Sequence, residues 1–415
     1  MQAIQNDGPA TETPEQAVFR DEARQFLQDH ARPRRDKGMW GVNFVTDPVK
    51  AAREFETGRA WQATLFAHGF AGLTYPKELG GRGGQPWHET IFREEASSFE
   101  ASSGFISSTI AMLGPTLMLW GTDEQRTTLI PRLLSGQDAW CQLFSEPGAG
   151  SDLAGLSCRA IRDGDQFIVS GQKVWNSAAQ WCDKGMLLVR TNPDLPKHRG
   201  ITFLLVDMHS PGIEVRPLVQ ATGAQHFNEV FLTDVRVPVS NVLGKIDDGW
   251  RVARTVLSNE AAFIGGAGGG VSPHDRLVAL ARMFGRLDDP SVRQSLAYSF
   301  TREKLLGVMG ERIMAAVRRR EAPPIDPSIL KLYLVENRVR TGNLAAEIAG
   351  AAAMAAPSDQ EVARWIQAEL LGRFSVSIGG GTNEVQRNNL AERALGLPRE
   401  PRSDHEIPWR DVLRN

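Results

Sequence analysis

The sequence predicts an α+β chain in three parts: a helical domain over residues 13–136, a small β domain over 137–243 and a second helical domain over 244–402. Three observations carry this prediction. Apolar residues recur at helical spacing in the first and last thirds. Short apolar runs punctuated by glycine or proline fill the middle. The 415 residues are enough for two or three separate cores.

Each element has a local cause. Thr13-Pro14-Glu15-Gln16 places Thr at an N-cap, Pro at the first helical position and Gln at the third, a helix start. Phe19, Ala23, Phe26 and Leu27 then share one helical face. The glycine-rich segment Leu79–Gly84 interrupts the helices, and Glu124 to Leu134 reads as a further helix ending near Gly136. In the middle third, Cys158–Arg162 and Gln166–Val169 flank Asp163-Gly164, a favoured hairpin turn pair. Met186–Arg190, Ile201–Val206, Ile213–Arg216 and Glu229–Leu232 read as further strands. After Gly249 the helical period returns. Asp326-Pro327 opens one helix, with Ile329, Leu332, Tyr333 and Val339 broadly at helical spacing, and residues 361–373 form another.

Composition narrows the function classes. A formal net charge of -2 creates no broad field for nucleic acid or anionic membranes. Cys141, Cys158 and Cys182 form no CxxC and no metal spacing with histidine, which fits a reduced, cytoplasmic setting. No apolar run approaches the roughly 18–20 residues of a membrane helix. No secretory signal is visible, and residues 1–12 read as a polar, frayed tail.

Three segments carry chemistry. Leu143-Phe-Ser-Glu-Pro-Gly-Ala-Gly-Ser-Asp-Leu-Ala-Gly155 concentrates small residues and hydroxyls. Gly171-Gln-Lys-Val-Trp-Asn-Ser177 would, if extended, place Trp175 and Ser177 on one face. An aromatic slab beside a hydroxyl suits a flat heteroaromatic cofactor with an edge to be hydrogen-bonded. The third segment runs from Ile378 through Gly379-Gly380-Gly381-Thr382-Asn383-Glu384 to Arg399. Gly148-Ala-Gly150 is not a Rossmann loop: it lies in a β region, and its third glycine is misplaced at Gly155.

In this order, the first two segments resemble the flavin-binding strands of the acyl-CoA dehydrogenase family and the third resembles its C-terminal motif. The resemblance runs from about residue 15 to about residue 402. It implies a barrel-like middle domain and a four-helix-bundle C-terminal domain. It implies FAD as cofactor, an acyl-CoA thioester from fatty acid or steroid side-chain β-oxidation as substrate, and an electron-transferring flavoprotein as acceptor. A homodimer or homotetramer is the implied assembly, with a hetero-oligomer as the alternative. Phe144, Ser145 and Gly150 would line the flavin cradle, Trp175 would pack on the ring, and the Ser177 hydroxyl would reach its reactive nitrogen side. Donors there stabilise the charge of reduced flavin. Thr382 and Glu384 match FAD contacts, and Ser151 would touch the CoA portion. Arg282, in Ala281–Gly285, matches a segment that reaches FAD phosphates from a neighbouring subunit, although the spacing to Gly285 is unusual and Arg286 competes for the role.

The family's reaction removes an α-proton from an acyl thioester and a hydride from its β-carbon. Many members carry the glutamate base just before the Gly-Thr of the C-terminal motif, where this chain has Gly380. Other members carry it on a helix early in the C-terminal domain. Counting from Gly249-Trp250, Glu260 falls at that position. The apolar run Ala261-Ala-Phe-Ile264 would desolvate it and raise its pKa. Gly380 would offer its backbone N–H to the thioester carbonyl. Ala261 replaces the family's usual arginine, and Gly265–Gly270 reads as a flexible break in the helix. The acyl pocket should involve Ser102–Ser108 and residues 261–264. Two rivals stand beside the dehydrogenase: a non-catalytic partner subunit of a hetero-oligomer, and a flavin monooxygenase or nitroalkane-oxidase relative on the same fold.

Overall fold

A computed structural model describes residues 12–34, 39–41, 45–265, 271–318, 321, 326–355, 361–399, 401, 404 and 406–412. The tail at 1–11 and the glycine run at 266–270 lie outside these residues, as do the side chains of 261–264. The chain divides into two compact units, one within Met1–Asp36, Glu54–Ile110 and Thr122–Ala139, the other within Lys37–Arg53, Ala111–Gly121 and Trp140–Asn415.

The N-terminal helices are α1 (Pro14–His30), α2 (Pro48–Ala67), α3 (Pro86–Ala96), α4 (Phe105–Trp120) and α5 (Asp123–Leu134). The expected start of α1 is present: Gln16 N donates to Thr13 Oγ1 and Thr13 N donates to Gln16 Oε1, a reciprocal capping box. Its face of Phe19, Ala23, Phe26 and Leu27 is buried against Leu65, Phe70 and Ile91. A second capping box, between Thr122 and Gln125, opens α5.

The middle region is a curled seven-stranded sheet made of β1 (Trp140–Leu143), β2 (Arg159–Asp163), β3 (Gln166–Ser177), β4 (Lys184–Arg190), β5 (Ile201–Asp207), β6 (Ile213–Leu218) and β7 (Phe227–Pro238). The order is β1-β4-β2-β3-β7-β6, with β5 paired on β4. The hairpin forms with its turn one residue later than expected: Asp163 pairs with Gln166, so Gly164-Asp165 is the two-residue loop, with Gly164 at φ +62°. A positive φ at the first loop residue matches the twist of the flanking strands. Sheet pairing also makes a strand of Trp140–Leu143, too short to stand out by alternation, parallel to β4.

The C-terminal helices are α6 (Gly249–Gly265), α7 (Pro273–Met283), α8 (Pro290–Arg318), α9 (Pro327–Ala349), α10 (Ala352–Ala355), α11 (Glu361–Gly372), α12 (Ser375–Ile378) and α13 (Asn383–Asn389). Leu277 and Leu280 of α7, Val292 of α8, Leu344 and Ile348 of α9, and Trp365 and Ile366 of α11 share one core. This is the expected four-helix packing. Asp326 caps α9 by accepting from Ser328 N at 2.8 Å.

Candidate active site

The segment after β1 is held to β3 by a buried ion pair. Lys173 is 0% exposed and donates through Nζ to Glu146 Oε1 at 2.8 Å and to the Phe144 carbonyl at 3.0 Å. The other bonds to the Glu146 carboxylate come from the backbone N–H groups of Ser157 (2.7 Å) and Cys158 (2.9 Å) and from the Ser157 hydroxyl (2.9 Å). Burial alone would raise the Glu146 pKa, but the Lys173 charge and these donors outweigh it and hold the carboxyl below its usual range. A further bond, from Val174 N to Ser145 O at 2.9 Å, completes the seam. The two motif segments are thereby one unit. Sequence reasoning missed this pair; the signal available was a lysine inside a strand-like run, which needs a counter-charge if it points inward.

Trp175 departs from the extended geometry expected of it. The β3–β7 register jumps between Val174 and Asn176, leaving Trp175 unpaired in a bulge, and its φ is +62°. Simple alternation therefore does not place Trp175 and Ser177 on one face. The bulge turns the indole out, 59% exposed, with one edge contact to Phe227 at 5.9 Å. Ser177 is half-buried at the end of β3. A tryptophan kept in the left-handed region costs roughly 1–3 kcal/mol, and such strain clusters at functional sites.

Glu260 is half-buried at the end of a buried stripe on α6. Val252 and Val256, eight and four residues before it, are both fully buried. The helix is pinned by Trp120 Nε1 donating to Thr255 Oγ1 at 3.0 Å and by Asn259 Nδ2 donating to the Met112 carbonyl at 3.2 Å. Its first residue must be glycine: a Cβ on Gly249 would lie 2.4 Å from Phe203 N on β5. Burial pushes the Glu260 carboxyl above the usual range, while a hydrogen bond from Gln142 of β1 and the charge of Lys331 on α9 pull it partly back. Neither Gln142 nor Lys331 was identified from sequence, because both meet Glu260 only through packing.

Gly380, at φ +66°, lies in the turn between α12 and α13. Lys331 Nζ donates to the carbonyls on either side of it, Gly379 O at 2.5 Å and Gly381 O at 3.5 Å. Thr382 caps α13 by accepting from Val385 N at 3.3 Å. Together with Asn383, Glu384, Val335, Val339 and Phe374, Thr382 lines an open cleft of about 640 Å³. Glu384 is exposed and pairs with Arg387 at 3.4 Å. Gly150 and Ser151 are exposed, and a Cβ on Gly150 would meet nothing. Arg282 is exposed in the last turn of α7, while Arg286 pairs with Asp289 at 2.7 Å. Among the described residues no hydrogen bond, ion pair or ring contact joins Trp175 or Ser177 to Thr382, Glu384 or Arg282. In the serine segment, Ser103 is buried and donates to Gln62 Oε1 at 2.7 Å, whereas Ser107 and Ser108 bond carbonyls of their own turn.

The residues fit a flavin cofactor on two counts. Trp175 presents a strained, exposed indole. Asn383 Oδ1, in the cleft wall, is buried without a hydrogen-bond partner. Cys141, Cys158 and Cys182 are buried thiols. Among the described residues there is no metal-binding cluster and no helix long and apolar enough to cross a membrane.

Comparison with known proteins gives the class. Residues 13–137, 141–235 and 247–395 match, respectively, the N-terminal, middle and C-terminal domains of acyl-CoA dehydrogenases. The chain belongs to the acyl-CoA dehydrogenase family, oxidoreductases that act on CH–CH groups. It is 38% identical to acyl-CoA dehydrogenase IpdE1 of Mycobacterium tuberculosis over 375 residues, covering 88% of this chain and 92% of that one. It is 34% identical to acyl-CoA dehydrogenase FadE29 of the same organism over 399 residues, covering 94% and 99%. Among solved structures it resembles the Tcur3481-Tcur3483 steroid ACAD, with a TM-score of 0.75 and 30% identity over 95% of this chain and 100% of that one. It also resembles the ChsE4-ChsE5 complex of M. tuberculosis, with a TM-score of 0.70 and 30% identity over 95% and 100%.

Proposed function

We propose that the chain catalyses FAD-dependent α,β-dehydrogenation of an acyl-CoA thioester, with Glu260 as the base and an electron-transferring flavoprotein as acceptor. The observation that carries this reading is the half-buried Glu260, its carboxyl pushed up by desolvation, on the helix where some relatives keep their base, in a chain with glycine at the commoner position. FAD, when bound, supplies the hydride acceptor. Glu260 takes the α-proton, and desolvation makes its carboxylate a stronger base than one in water. The Gly380 N–H receives the thioester carbonyl and stabilises the enolate oxygen as charge develops there. Trp175 and Ser177 hold the flavin ring and its nitrogen edge, Phe144, Ser145 and Gly150 line the cradle, and Ser151 meets the CoA portion. Thr382, Glu384 and Arg282 serve the remainder of FAD, Arg282 from a neighbouring subunit. The steroid dehydrogenase among the similar structures supports a bulky, steroid-derived acyl group. We assign domain limits of 13–136, 137–243 and 244–402, and a cytoplasmic setting.

Glu260→Gln tests the assignment, because it keeps the shape and removes the proton acceptor. FAD content and thioester affinity should persist while flavin reduction slows at least about a hundredfold. Reduction at the wild-type rate would remove Glu260 from the role. A second reading, that the chain is the non-catalytic member of a hetero-oligomer, draws support from Gly380, Ala261 and the paired names of the two similar structures. Expression of the chain alone separates the two: a yellow, active homo-oligomer excludes the partner role.

A further inference from the structure

We propose that Lys331 is a positioning residue for proton abstraction: it clamps the peptide that presents the Gly380 N–H. The inference rests on the reading of Glu260 as the base. The Gly379–Gly381 turn has no side chains with which to hold itself, and glycine carries the largest backbone freedom to be lost. The Gly379 carbonyl and the Gly380 N–H belong to one planar trans peptide and point in opposite directions. Lys331 Nζ, 2.5 Å from Gly379 O, therefore fixes the direction of the Gly380 N–H. The same ammonium reaches Gly381 O at 3.5 Å, and Gln386 Nε2 donates to Gly380 O at 3.2 Å, so all three peptide carbonyls of the turn are held from outside.

The place of Lys331 in its helix argues for a purpose. It lies in the second turn of α9, near the positive end of the helix dipole, where a cation gains nothing from the helix. It is also half-buried, which disfavours an ammonium unless acceptors compensate. Those acceptors are the two turn carbonyls. The Lys331 charge also acts on Glu260 across the packing, lowering the carboxyl's pKa against the effect of burial. In the step, the α C–H bond breaks, its electron pair passes into the enolate, and the proton passes to a Glu260 oxygen. The N–H at Gly380 then holds the new oxyanion, while Lys331 keeps that N–H aimed.

The test uses 3-thiaoctanoyl-CoA, with a steroid side-chain 3-thia thioester as a second probe. These lose an α-proton but yield no hydride, so the FAD-loaded enzyme reports enolate formation by a long-wavelength charge-transfer band, and calorimetry gives affinity. Wild type should show the band. Lys331→Met should retain FAD and bind the saturated acyl-CoA as wild type does, yet lose the band and bind the thia-analogue at least about tenfold more weakly, the scale of one lost charge-assisted hydrogen bond. Lys331→Arg, which keeps charge and donors, should recover most of both. A wild-type band and affinity in Lys331→Met would overturn the inference. If Lys331→Met fails to fold, Lys331→Gln, which keeps one donor without the charge, decides by the same two readouts. A wild type that binds both probes without any band overturns the base assignment itself, an outcome distinct from failure of the clamp.

Discussion

Replacing Lys173 with methionine tests the seam beneath the proposed flavin site. The substitution conserves approximate volume and removes one charge from a pair whose side chains are 0% and 4% exposed. Glu146 keeps its two backbone donors and the Ser157 hydroxyl but loses its counter-ion at 2.8 Å, and the Phe144 carbonyl loses its donor. Removing one partner of a buried pair costs about 3–5 kcal/mol, because the remaining charge is left uncompensated. Domains are commonly stable by only about 5–15 kcal/mol, so the loss should appear as a large drop in the urea midpoint at unchanged slope. The pH dependence supplies a sign. The folded-state pKa of Glu146 is depressed, so its contribution is present above the unfolded value of about 4.3 and lost as pH falls through the folded value. In Lys173→Met this acid-induced loss should shrink. Adding Glu146→Gln should restore part of the stability, a coupling that a double-mutant cycle measures. Destabilisation below about 1 kcal/mol in Lys173→Met would refute the argument that the pair holds the two segments together.

Three further outcomes follow from particular residues. Trp175→Gly relieves a left-handed backbone that costs a non-glycine residue roughly 1–3 kcal/mol, so the apoprotein should melt close to wild type while FAD affinity falls at least about tenfold; calorimetric FAD titration checks it, and wild-type affinity would remove Trp175 from the flavin site. Gly249→Ala drives a Cβ into the backbone of β5, 2.4 Å from Phe203 N, and should cost about 1–3 kcal/mol with slower flavin reduction, measured by urea unfolding and stopped flow; wild-type values for both would contradict the pinned helix start. The folded-state pKa of Glu260 is raised, so its neutral form favours the fold and that contribution disappears as pH rises through the folded value. Flavin reduction should therefore rise with pH through an inflection above the ordinary glutamate value of about 4.3, and Glu260→Gln should melt above wild type at pH 8 but not at pH 4.

Local chemistry made much of the fold legible in the sequence. The Thr13 capping box, the Phe19–Leu27 face, the Asp326-Pro327 helix start and six of the seven strands depend on neighbours a few residues apart, where propensity and period act directly. The hairpin came out one residue off because turn register is settled by strand twist and pairing. β1 was invisible, since four residues acquire a strand identity only from the partner they pair with. At the site, sequence and resemblance could nominate Glu260, Gly380 and Trp175 by position. Even the inward placement of half-buried Glu260 had a local trace, the four-residue repeat from Val252 through Val256. What no local rule contains is the meeting of distant segments: Lys173 with Glu146, Gln142 and Lys331 with Glu260, and Lys331 with the glycine turn. A bulge in the sheet, in turn, rotates Trp175 away from simple alternation. Tertiary packing alone decides these points, because a buried charge selects its partner by proximity and desolvation after the chain has folded, not by spacing along it.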